Sequence, residues 1–465
     1  MTPTRARTRT RERVNAVAER YAKHVNPEFV RLLGVLGYGR VFTRAKGTRL
    51  VDDKGREYLD LLAGFGSVPL GHNHPRVIAA LKRLLDEDAL HFCHIAPSAA
   101  AGELAEALVA RLPAPLDVVL YSSSGAEAVE GAMKLARAAT GRPRFVSCEG
   151  GFHGTNPGAL SLMGADRLRK PFEPLLAGCV RVPFGDLTRL ADALAREDVA
   201  AFVVEPIQGE GGAVLPPAGY LKEAAALCRK HGTLFVADEI QTGLGRTGAF
   251  LACEAEHVVP DVVTLAKGLS GGVVPIAATV TSRAIHRQAY GTMERFDLHS
   301  STYAGNALGC TAALETLRVI DDESLASRAA SVGARLRDRL KLDLAGHPLV
   351  REVRGRGLMI AIELGPTGRG ALDGLAPSLV EAAAKNVYGQ WAALKLLEAG
   401  FVAQPASHRW NVLKLTPPLV LSDAEADDAA AAITRVLSEY RSLPKLLAEV
   451  AARIGSQAMR GGEFR

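Results

Sequence analysis

Short apolar runs rich in β-branched residues alternate with helix-like stretches through the middle of the chain. The runs predicted to be strands lie at residues 118–121, 145–147, 201–205, 234–238, 262–265 and 276–280. Helix-like segments separate several of them, including one that ends near Leu135 and one that ends near Cys228. This alternation predicts an α/β fold in which helices cover both faces of a mainly parallel sheet.

Two of these runs lead into groups that carry chemistry. Asp238 ends one strand, and Lys267 lies just past the next, with room for one crossover connection between them. Ligands of open α/β sheets bind at the carboxyl ends of the strands, so we expect both side chains to reach one ligand. Pyridoxal 5'-phosphate needs such a pair: a lysine that forms a Schiff base and a carboxylate that keeps the pyridine nitrogen protonated. The pair therefore predicts a site for this cofactor.

A lysine is most often a solvated surface group, which is the alternative interpretation of Lys267. Here it lies between an apolar strand and the glycine-containing segment 268–272, which permits a cofactor to approach closely. Desolvation at such a position would lower the pKa of the lysine and favour its neutral, nucleophilic form.

The chain has a different pattern on either side of this central part. Short strands around a turn at residues 52–55 predict a small antiparallel unit. From about Leu317 a long helix, a strand over 351–363 and a strand over 412–415 predict a second, α+β lobe. We predict an arm at 1–20, an N-terminal segment of a small domain at 21–75, a large cofactor-binding domain at 76–316 and a C-terminal small domain at 317–465.

Length and composition indicate a globular chain with two or more lobes. The 465 residues, 48% of them hydrophobic, are enough to bury a large core. No apolar run reaches the roughly 18 residues that span a bilayer, and the first residues lack a secretory signal, so we predict a cytoplasmic location. The six cysteines occur singly, which indicates reduced thiols.

Charge adds little to this picture. The net charge of +6 is modest, and part of it comes from the arginines at positions 5, 7, 9, 11 and 13 of the N-terminal arm. A disordered arm is the simplest interpretation, with a contact to nucleic acid or an acidic partner, or a transit-like peptide, as alternatives. Nothing else in the chain indicates nucleic-acid recognition, and no nucleic-acid or membrane partner is expected. The spacing of His72, His74, His91 and His94 matches no ligand pattern, so no metal site is predicted.

Two loops that follow predicted strands are candidates for cofactor binding. Ser124, Gly125 and Ala126 stand between a strand and a helix, where backbone N–H groups and the helix dipole favour a phosphate. The alternative is an ordinary serine N-cap. In the second loop, Phe152 could stack on a planar ring with His153 beside it, although a loop aromatic often serves only packing.

A rival motif lies at residues 243–248, which match the Gly-x-Gly-x-x-Gly dinucleotide pattern. That pattern requires a strand that runs straight into a helix. A polar segment at 238–242 intervenes, and no clear helix start follows Gly248. A nicotinamide-dependent oxidoreductase is therefore disfavoured.

The segment 238–248 together with Ala266, Lys267 and Gly268 closely resembles the signature of class III aminotransferases of pyridoxal-phosphate fold type I. Further matching segments lie at 124–130, 204–212 and 301–306, and the resemblance spans roughly residues 20 to 440. Within the class, segments 169–172, 182–185 and 25–27 are most similar to putrescine and ornithine aminotransferases. The resemblance implies a large domain with a mainly parallel seven-stranded sheet and a smaller α+β domain built from both termini.

The resemblance also implies a role for each matching residue. Lys267 would be the Schiff-base lysine and proton shuttle, and Asp238 would hold the pyridinium. Gln241 would bind the ring hydroxyl, and Phe152 would stack on the ring beside His153. Gly125 and Ala126, next to Ser124, would bind the phosphate, and Thr302 would reach the phosphate of a neighbouring subunit. Glu205 would be the family's gate residue, which pairs with a C-terminal arginine when no substrate carboxylate is bound. The active unit implied is a homodimer, possibly within a tetramer.

One position departs from the family pattern. Where relatives carry an arginine, this chain has Lys414, which lacks the planar fork that binds a carboxylate through two hydrogen bonds. We therefore expect weaker binding of 2-oxoglutarate and α-amino acids, and a possible Glu205–Lys414 pair. The nearby aromatic residues Tyr388, Trp391, Phe401 and Trp410 are interpreted as small-lobe core, with the lining of an apolar amine pocket as the alternative.

The function predicted is transfer of the terminal amino group of a diamine or similar ω-amine to a 2-oxo acid such as 2-oxoglutarate or pyruvate. One alternative is the same reaction on long-chain or aryl amines. A second is an aminomutase, racemase or decarboxylase on the same fold, because the cofactor residues alone do not fix the reaction.

Overall fold

The computed structural model describes residues 16–36, 38–91, 95–367 and 387–459. Its strands are β1 (Phe42–Lys46), β2 (Arg49–Asp52), β3 (Glu57–Asp60), β4 (Leu116–Ser122), β5 (Arg144–Cys148), β6 (Cys179–Val182), β7 (Val199–Val204), β8 (Leu234–Asp238), β9 (Val262–Leu265), β10 (Ala277–Ser282), β11 (Val350–Arg356), β12 (Met359–Leu364), β13 (Phe401–Val402), β14 (Gln404–Ala406) and β15 (Arg409–Leu415).

Helices connect and cover these strands. The α-helices of eight residues or more are Pro27–Leu36, Pro75–Asp86, Ala99–Val109, Gly125–Thr140, Leu187–Leu194, Tyr220–Lys230, Arg283–Tyr290, Ala307–Asp322, Leu325–Asp343, Gly389–Glu398, Asp423–Ser438 and Leu443–Met459. Shorter helical turns are Ala63–Gly66, Pro157–Ser161, Asp166–Arg169, Lys170–Phe172, Ala252–Glu256 and Lys267–Ser270. Residues 16–24 are also helical.

The central sheet has seven strands in the order β4-β10-β9-β8-β7-β5-β6. Neighbouring strands are parallel from β9 through β6, and β10 runs antiparallel to both β4 and β9. The prediction of an α/β fold with a mainly parallel seven-stranded sheet is confirmed.

Strand β7 shows why the central runs are apolar throughout. All six of its residues are buried. Phe202 and Val204 belong to one hydrophobic cluster, whereas Ala201 and Val203 belong to another. Because successive side chains of a strand point to opposite faces, the sheet has a core on each side and its strands need no polar face.

The N-terminal strands pair with the C-terminal part of the chain. β1, β2 and β3 form an antiparallel meander, as the turn at 52–55 predicted. β13 then adds to β3 in parallel, with Phe401 opposite Leu59. A separate antiparallel sheet has the order β11-β12-β15-β14.

Two local predictions were wrong, and one strand was not predicted at all. The single strand expected over 351–363 is a hairpin of β11 and β12, because Gly357 turns the chain at a φ of 55°. The long helix expected from Leu317 begins earlier, at Ala307, and a second helix starts after Ser324, whose φ of 50° breaks the helical path. Strand β6 was not foreseen.

The described residues also bear on the expectations about membrane spans, metal sites and cysteines. No described helix is long and apolar enough to cross a membrane. No described group of histidine, cysteine and acidic residues has the geometry of a metal site. Cys148, Cys228, Cys253 and Cys310 are buried free thiols, and Cys179 is partly buried. The arginine-rich residues 1–15, Cys93 and His94 lie outside the described residues.

Candidate active site

A cavity of about 270 Å³ opens at the carboxyl ends of the parallel strands. Gly125 follows β4, Phe152 follows β5, Glu205 follows β7, and Asp238 ends β8. The cavity is lined by Gly125, Ala126, Phe152, His153, Gly154, Thr155, Glu205, Glu210, Asp238, Ile240, Gln241, Ala266 and Lys267. The tertiary structure thus brings together the two predicted catalytic residues and most of the predicted cofactor residues.

Asp238 is held in one orientation inside the cavity wall. One of its carboxylate oxygens accepts hydrogen bonds from the Thr264 hydroxyl and the Ile240 N–H, both at 3.2 Å. The other lies 2.7 Å from Nδ1 of His153. Burial disfavours the charged imidazole, but the hydrogen bond and charge of Asp238 outweigh it and raise the pKa of His153. A fixed carboxylate with His153 hydrogen-bonded behind it suits a role as counter-ion to a protonated ring nitrogen.

Lys267 enters the cavity on the turn that follows β9. Its backbone has a φ of 38°, a region that residues other than glycine rarely occupy. Burial lowers the pKa of its ammonium group. The neutral amine is therefore favoured, as nucleophilic and proton-transfer chemistry requires.

The side chain of Gln241 presents an unpaired carbonyl oxygen to the cavity. Its amide nitrogen donates to the carbonyl of Phe65 at 2.9 Å and lies 3.4 Å from Oε1 of Glu210. Its buried Oε1 has no hydrogen-bond partner among the described residues. A buried acceptor normally has a donor, so this atom fits a hydroxyl on a bound ring.

The phosphate loop agrees only in part with the sequence prediction. Gly125 and Ala126 line the cavity at the start of the helix Gly125–Thr140. A Cβ on Gly125 would lie 3.0 Å from the side chain of Ile240, so a larger residue here would have to displace that side chain. Ser124 is exposed and does not line the cavity; its hydroxyl instead accepts the N–H of Glu127 as the helix N-cap.

Thr302 was expected at the phosphate of a neighbouring subunit. In this chain it is exposed and stands apart from the residues that line the cavity. Its expected role therefore remains a prediction about a dimer.

The Glu205 carboxylate holds the loop of Phe152 through hydrogen bonds from backbone N–H groups. One oxygen of Glu205 accepts the N–H of Phe152 at 2.8 Å, and the other accepts the N–H of Gly209 at 2.9 Å. Burial raises the pKa of Glu205 from 4.5 to about 7. Glu205 thus shapes the loop that presents the Phe152 ring.

The acidic partner of Lys414 is Glu210, which corrects the expected Glu205–Lys414 pair. The fully buried Lys414 ammonium forms a salt bridge with Oε1 of Glu210. Although burial opposes its ionisation, Lys414 and the N–H of Ser407 lower the pKa of Glu210 to about 2. Sequence reasoning overlooked Glu210 because Glu205 stands five positions earlier in the same motif, directly after a strand.

Four other lining residues were not foreseen. Gly154 and Thr155 directly follow the predicted Phe152 and His153, while Ile240 and Ala266 flank the predicted Asp238 and Lys267. Only their position next to predicted site residues in the sequence indicated that they could line the cavity.

The aromatic residues of the C-terminal lobe behave mainly as predicted. Tyr388 and Trp391 are buried in the main hydrophobic core, and Phe401 packs against it. Trp410 differs, because 40% of it is exposed on the hairpin of β14 and β15.

Comparison with known proteins identifies relatives of the whole fold. The sequence profile of the family described as "Aminotransferase class-III" matches residues 36–437. The chain is 38% identical over 452 residues to aminotransferase PigE of Serratia sp. (strain ATCC 39006), covering 90% of this chain and 53% of that protein. The chain thus spans about half the length of this curated relative.

Solved structures give the same family relationship. Ornithine aminotransferase from Toxoplasma gondii is 36% identical, with a TM-score of 0.76 over 86% of this chain and 92% of that one. An amine transaminase from an uncultivated Pseudomonas species, solved in its PLP-bound form, is 32% identical with the same TM-score, over 86% and 95% of the two chains.

The cavity contains what pyridoxal phosphate requires: a lysine amine, a fixed carboxylate, a free amide acceptor and a helix N-terminus. This fit and the family match over most of the chain agree with each other. The chain belongs to the class-III aminotransferases, which are pyridoxal-phosphate-dependent.

Proposed function

We propose that the protein transfers the terminal amino group of a diamine or similar ω-amine, such as putrescine, to a 2-oxo acid such as 2-oxoglutarate or pyruvate. The observation that carries this proposal is the acidic lining of the cavity, which includes Glu205, Glu210 and Asp238. Lys414, which stands where relatives carry an arginine, is engaged by Glu210. A donor with a second ammonium group therefore suits the cavity better than a donor with a carboxylate.

Glu210 is the residue we expect to meet that second ammonium group. Its low pKa keeps it ionised at neutral pH. Lys414 already contacts its Oε1 and the N–H of Ser407 donates to its Oε2, so a substrate ammonium would share this carboxylate with them. The ring of Phe65 lies beside the pair, with Nζ of Lys414 5.4 Å from its centre, and offers a surface for a short methylene chain.

The cofactor would be held by residues from separate strands. Gly125 and Ala126 would bind its phosphate through backbone N–H groups, and Gln241 would accept a hydrogen bond from its ring hydroxyl. Phe152 would stack on one face of the pyridine ring, and Asp238 would keep the ring nitrogen protonated. When bound, pyridoxal phosphate supplies the carbonyl that takes up the amino group and the ring that accepts electrons.

Lys267 would perform the proton transfer in each half-reaction of a ping-pong cycle. Burial lowers the pKa of its ammonium, which favours the neutral amine that would take a proton from the substrate carbon and deliver it to the other end of the transferred group. Asp238 keeps its charge in place through Thr264 and His153 while this happens.

A second candidate is transfer from long-chain or aryl amines. Phe152 offers aromatic surface in the cavity, Phe65 lies beside Lys414, and one structural relative is an amine transaminase. This alternative needs an apolar donor and gives no role to the charge of Glu210.

The absorbance spectrum of the purified protein tests these alternatives. Putrescine, ornithine and a long-chain monoamine are added separately, without an acceptor, and conversion of the cofactor to its amino form is followed. We expect rapid conversion by putrescine, slowed about ten-fold or more by Glu210→Gln, since a charge-assisted hydrogen bond is lost. Conversion by the long-chain amine alone would move the function to apolar amines, and no conversion at all would refute the proposed reaction.

We also propose a homodimeric active unit in a cytoplasmic setting. Exposed apolar residues Met293, Phe296 and Leu298 lie in the stretch before Thr302. Exposed apolar side chains so close together in sequence support an interface, through which Thr302 would approach a partner's phosphate site.

A further inference from the structure

The loop at residues 152–156 carries four residues of the wall of the catalytic cavity, namely Phe152, His153, Gly154 and Thr155. It follows β5 and leads into the helical turn Pro157–Ser161. We infer that Glu130, on the neighbouring helix Gly125–Thr140, is a positioning residue that fixes the far end of this loop and so places its side chains at the cofactor. The inference concerns the cofactor site and does not depend on which amine is the donor.

Glu130 reaches from its own helix to the start of the helical turn. Its Oε1 accepts the N–H of Gly158 at 2.9 Å and the N–H of Ala159 at 3.1 Å. These are the first N–H groups of the turn, which begins with a proline. The side chain at the N-cap position of the turn accepts neither of them. Glu130 therefore supplies the acceptor that a helix N-terminus needs and that the local sequence does not provide.

Close contacts fix the loop relative to the phosphate site. A Cβ built on Gly158 would overlap the carboxylate of Glu130, so glycine lets the two groups meet. A Cβ on Gly154 would lie 2.9 Å from the Cα of Ala126, one of the residues expected to bind the phosphate. The loop therefore packs on the first turn of the helix Gly125–Thr140, and its far end is hydrogen-bonded to the next turn of the same helix.

Two further carboxylates hold the rest of the loop. Oε1 of Glu205 accepts the N–H of Phe152 at 2.8 Å, and Nδ1 of His153 lies 2.7 Å from Asp238. With Glu130, the loop is tied at its start, its middle and its end to carboxylates from three other segments. Such anchoring restricts Phe152 and Thr155 to a narrow range of positions, as the binding of a rigid planar ring requires.

The charge of Glu130 does not itself favour the cofactor. Glu130 lies one helical turn after Ala126. A carboxylate and a phosphate repel each other, so by charge alone Glu130 would weaken phosphate binding. A favourable contribution of Glu130 to cofactor affinity therefore comes from the loop that it holds, and the sign of the effect separates positioning from charge.

Glu256 provides a matched control elsewhere in the chain. Its Oε2 accepts the N–H groups of Leu221 at 3.0 Å and Lys222 at 3.3 Å, at the N-terminus of the helix Tyr220–Lys230. In both cases the bonded N–H groups belong to the second and third residues of the helical segment. Glu256 does not line the catalytic cavity. Loss of either carboxylate should lower stability, whereas only loss of Glu130 should affect the cofactor.

Cofactor affinity and the visible circular dichroism of the bound cofactor test the inference without turnover. The second signal reports how firmly the ring is held in one orientation. We expect Glu130→Ala to raise the apparent dissociation constant of pyridoxal phosphate about ten-fold and to reduce this signal, because two N–H groups lose their acceptor. Glu130→Gln keeps an acceptor oxygen and should raise the dissociation constant by less than about three-fold.

Glu256→Ala should lower the unfolding temperature about as much as Glu130→Ala, while both cofactor signals stay unchanged. Unchanged cofactor signals in Glu130→Ala would overturn the inference, and so would an equal loss of both signals in Glu256→Ala. Tighter cofactor binding in Glu130→Ala would also overturn it, since removal of the charge alone gives that result.

Glu130→Asp covers the case in which Glu130→Ala does not fold. The aspartate keeps the charge but is one methylene shorter, so its carboxylate is drawn back from the turn. We expect its cofactor affinity to fall below that of Glu130→Gln, and an affinity equal to that of the unmodified protein contradicts the inference. Neither signal needs an amine, so failure of the protein to react with putrescine would refute the proposed function and leave this inference standing.

Discussion

Lys267 is the side chain on which the proposed chemistry depends most directly. Lys267→Ala should lower the turnover rate by at least about 10²-fold to 10⁴-fold, the usual contribution of a positioned proton-transfer group. The exposed Lys170, paired with Asp166, provides the control Lys170→Ala, which should retain the rate. Stopped-flow absorbance of the amine half-reaction measures both. A Lys267→Ala protein that reacts at the normal rate would exclude this lysine from the mechanism.

Glu205 gives the stability of the protein a specific pH dependence. Its folded pKa of about 7 lies above the ordinary value of 4.5, because the carboxyl is buried. Between these values the folded state keeps a proton that the unfolded state releases, so this group lowers stability as pH rises towards 7. The full effect, reached above about pH 7, is about 3 kcal/mol.

Glu205→Gln imitates the protonated group and removes this dependence. Relative to the unmodified protein, the variant should gain thermal stability as pH is raised from 5 to 8. Unfolding temperatures of both proteins across that range measure the effect. A difference that stays constant with pH would show that Glu205 does not titrate there.

At the scale of elements, the N-terminus of the helix Gly125–Thr140 is both capped by Ser124 and expected to bind the cofactor's phosphate. The Ser124 hydroxyl accepts the N–H of Glu127 at 3.2 Å, and Glu127 accepts the N–H of Ser123 at 2.7 Å. Ser124→Ala should cost about 1 kcal/mol of stability. It should also weaken cofactor affinity, because the N–H groups of Gly125 and Ala126 lose their fixed direction.

A second serine cap separates these two effects. Ser282 caps the helix Arg283–Tyr290 by accepting the N–H of Ile285 at 3.3 Å, and it does not line the cavity. Ser282→Ala should cost similar stability without changing cofactor affinity. Thermal unfolding and cofactor titration of both variants provide the comparison. Equal cofactor affinity in the two would mean that the Ser124 cap serves the helix alone.

At the scale of the whole molecule, the proposed dimer predicts a defined change in mass. The chain has a mass of 49.2 kDa, so the protein in solution should have twice that value. Phe296 is 65% exposed within the apolar stretch before Thr302, and Phe296→Glu should produce monomers with weakened cofactor binding.

Leu342→Glu is the matched control for that experiment. Leu342 is 74% exposed on the helix Leu325–Asp343, so the added charge should leave both mass and cofactor unaffected. Light scattering coupled to size-exclusion chromatography measures all three proteins. A Phe296→Glu protein of unchanged mass would remove this surface from the interface.

The elements that sequence could predict are those whose environment is uniform. Strands β7, β8 and β9 are buried on both faces, so continuous apolar runs identify them. The break at Ser324 and the turn at Gly357 depend on single backbone conformations within otherwise continuous patterns. Such conformations leave little trace in the pattern of apolar and polar residues.

The sequence by itself determined the mainly parallel character of the sheet and the meeting of Asp238 and Lys267 at one cavity, because the carboxyl ends of parallel strands share one edge. Only the tertiary structure decided that Glu210, and not Glu205, faces Lys414, because both glutamates belong to one motif and differ in the direction of their side chains. Arg167, Arg351 and Arg409, which line one cavity beside the hairpin of β14 and β15, come from three separate segments. No local pattern records such a meeting, since it follows from how the two lobes pack.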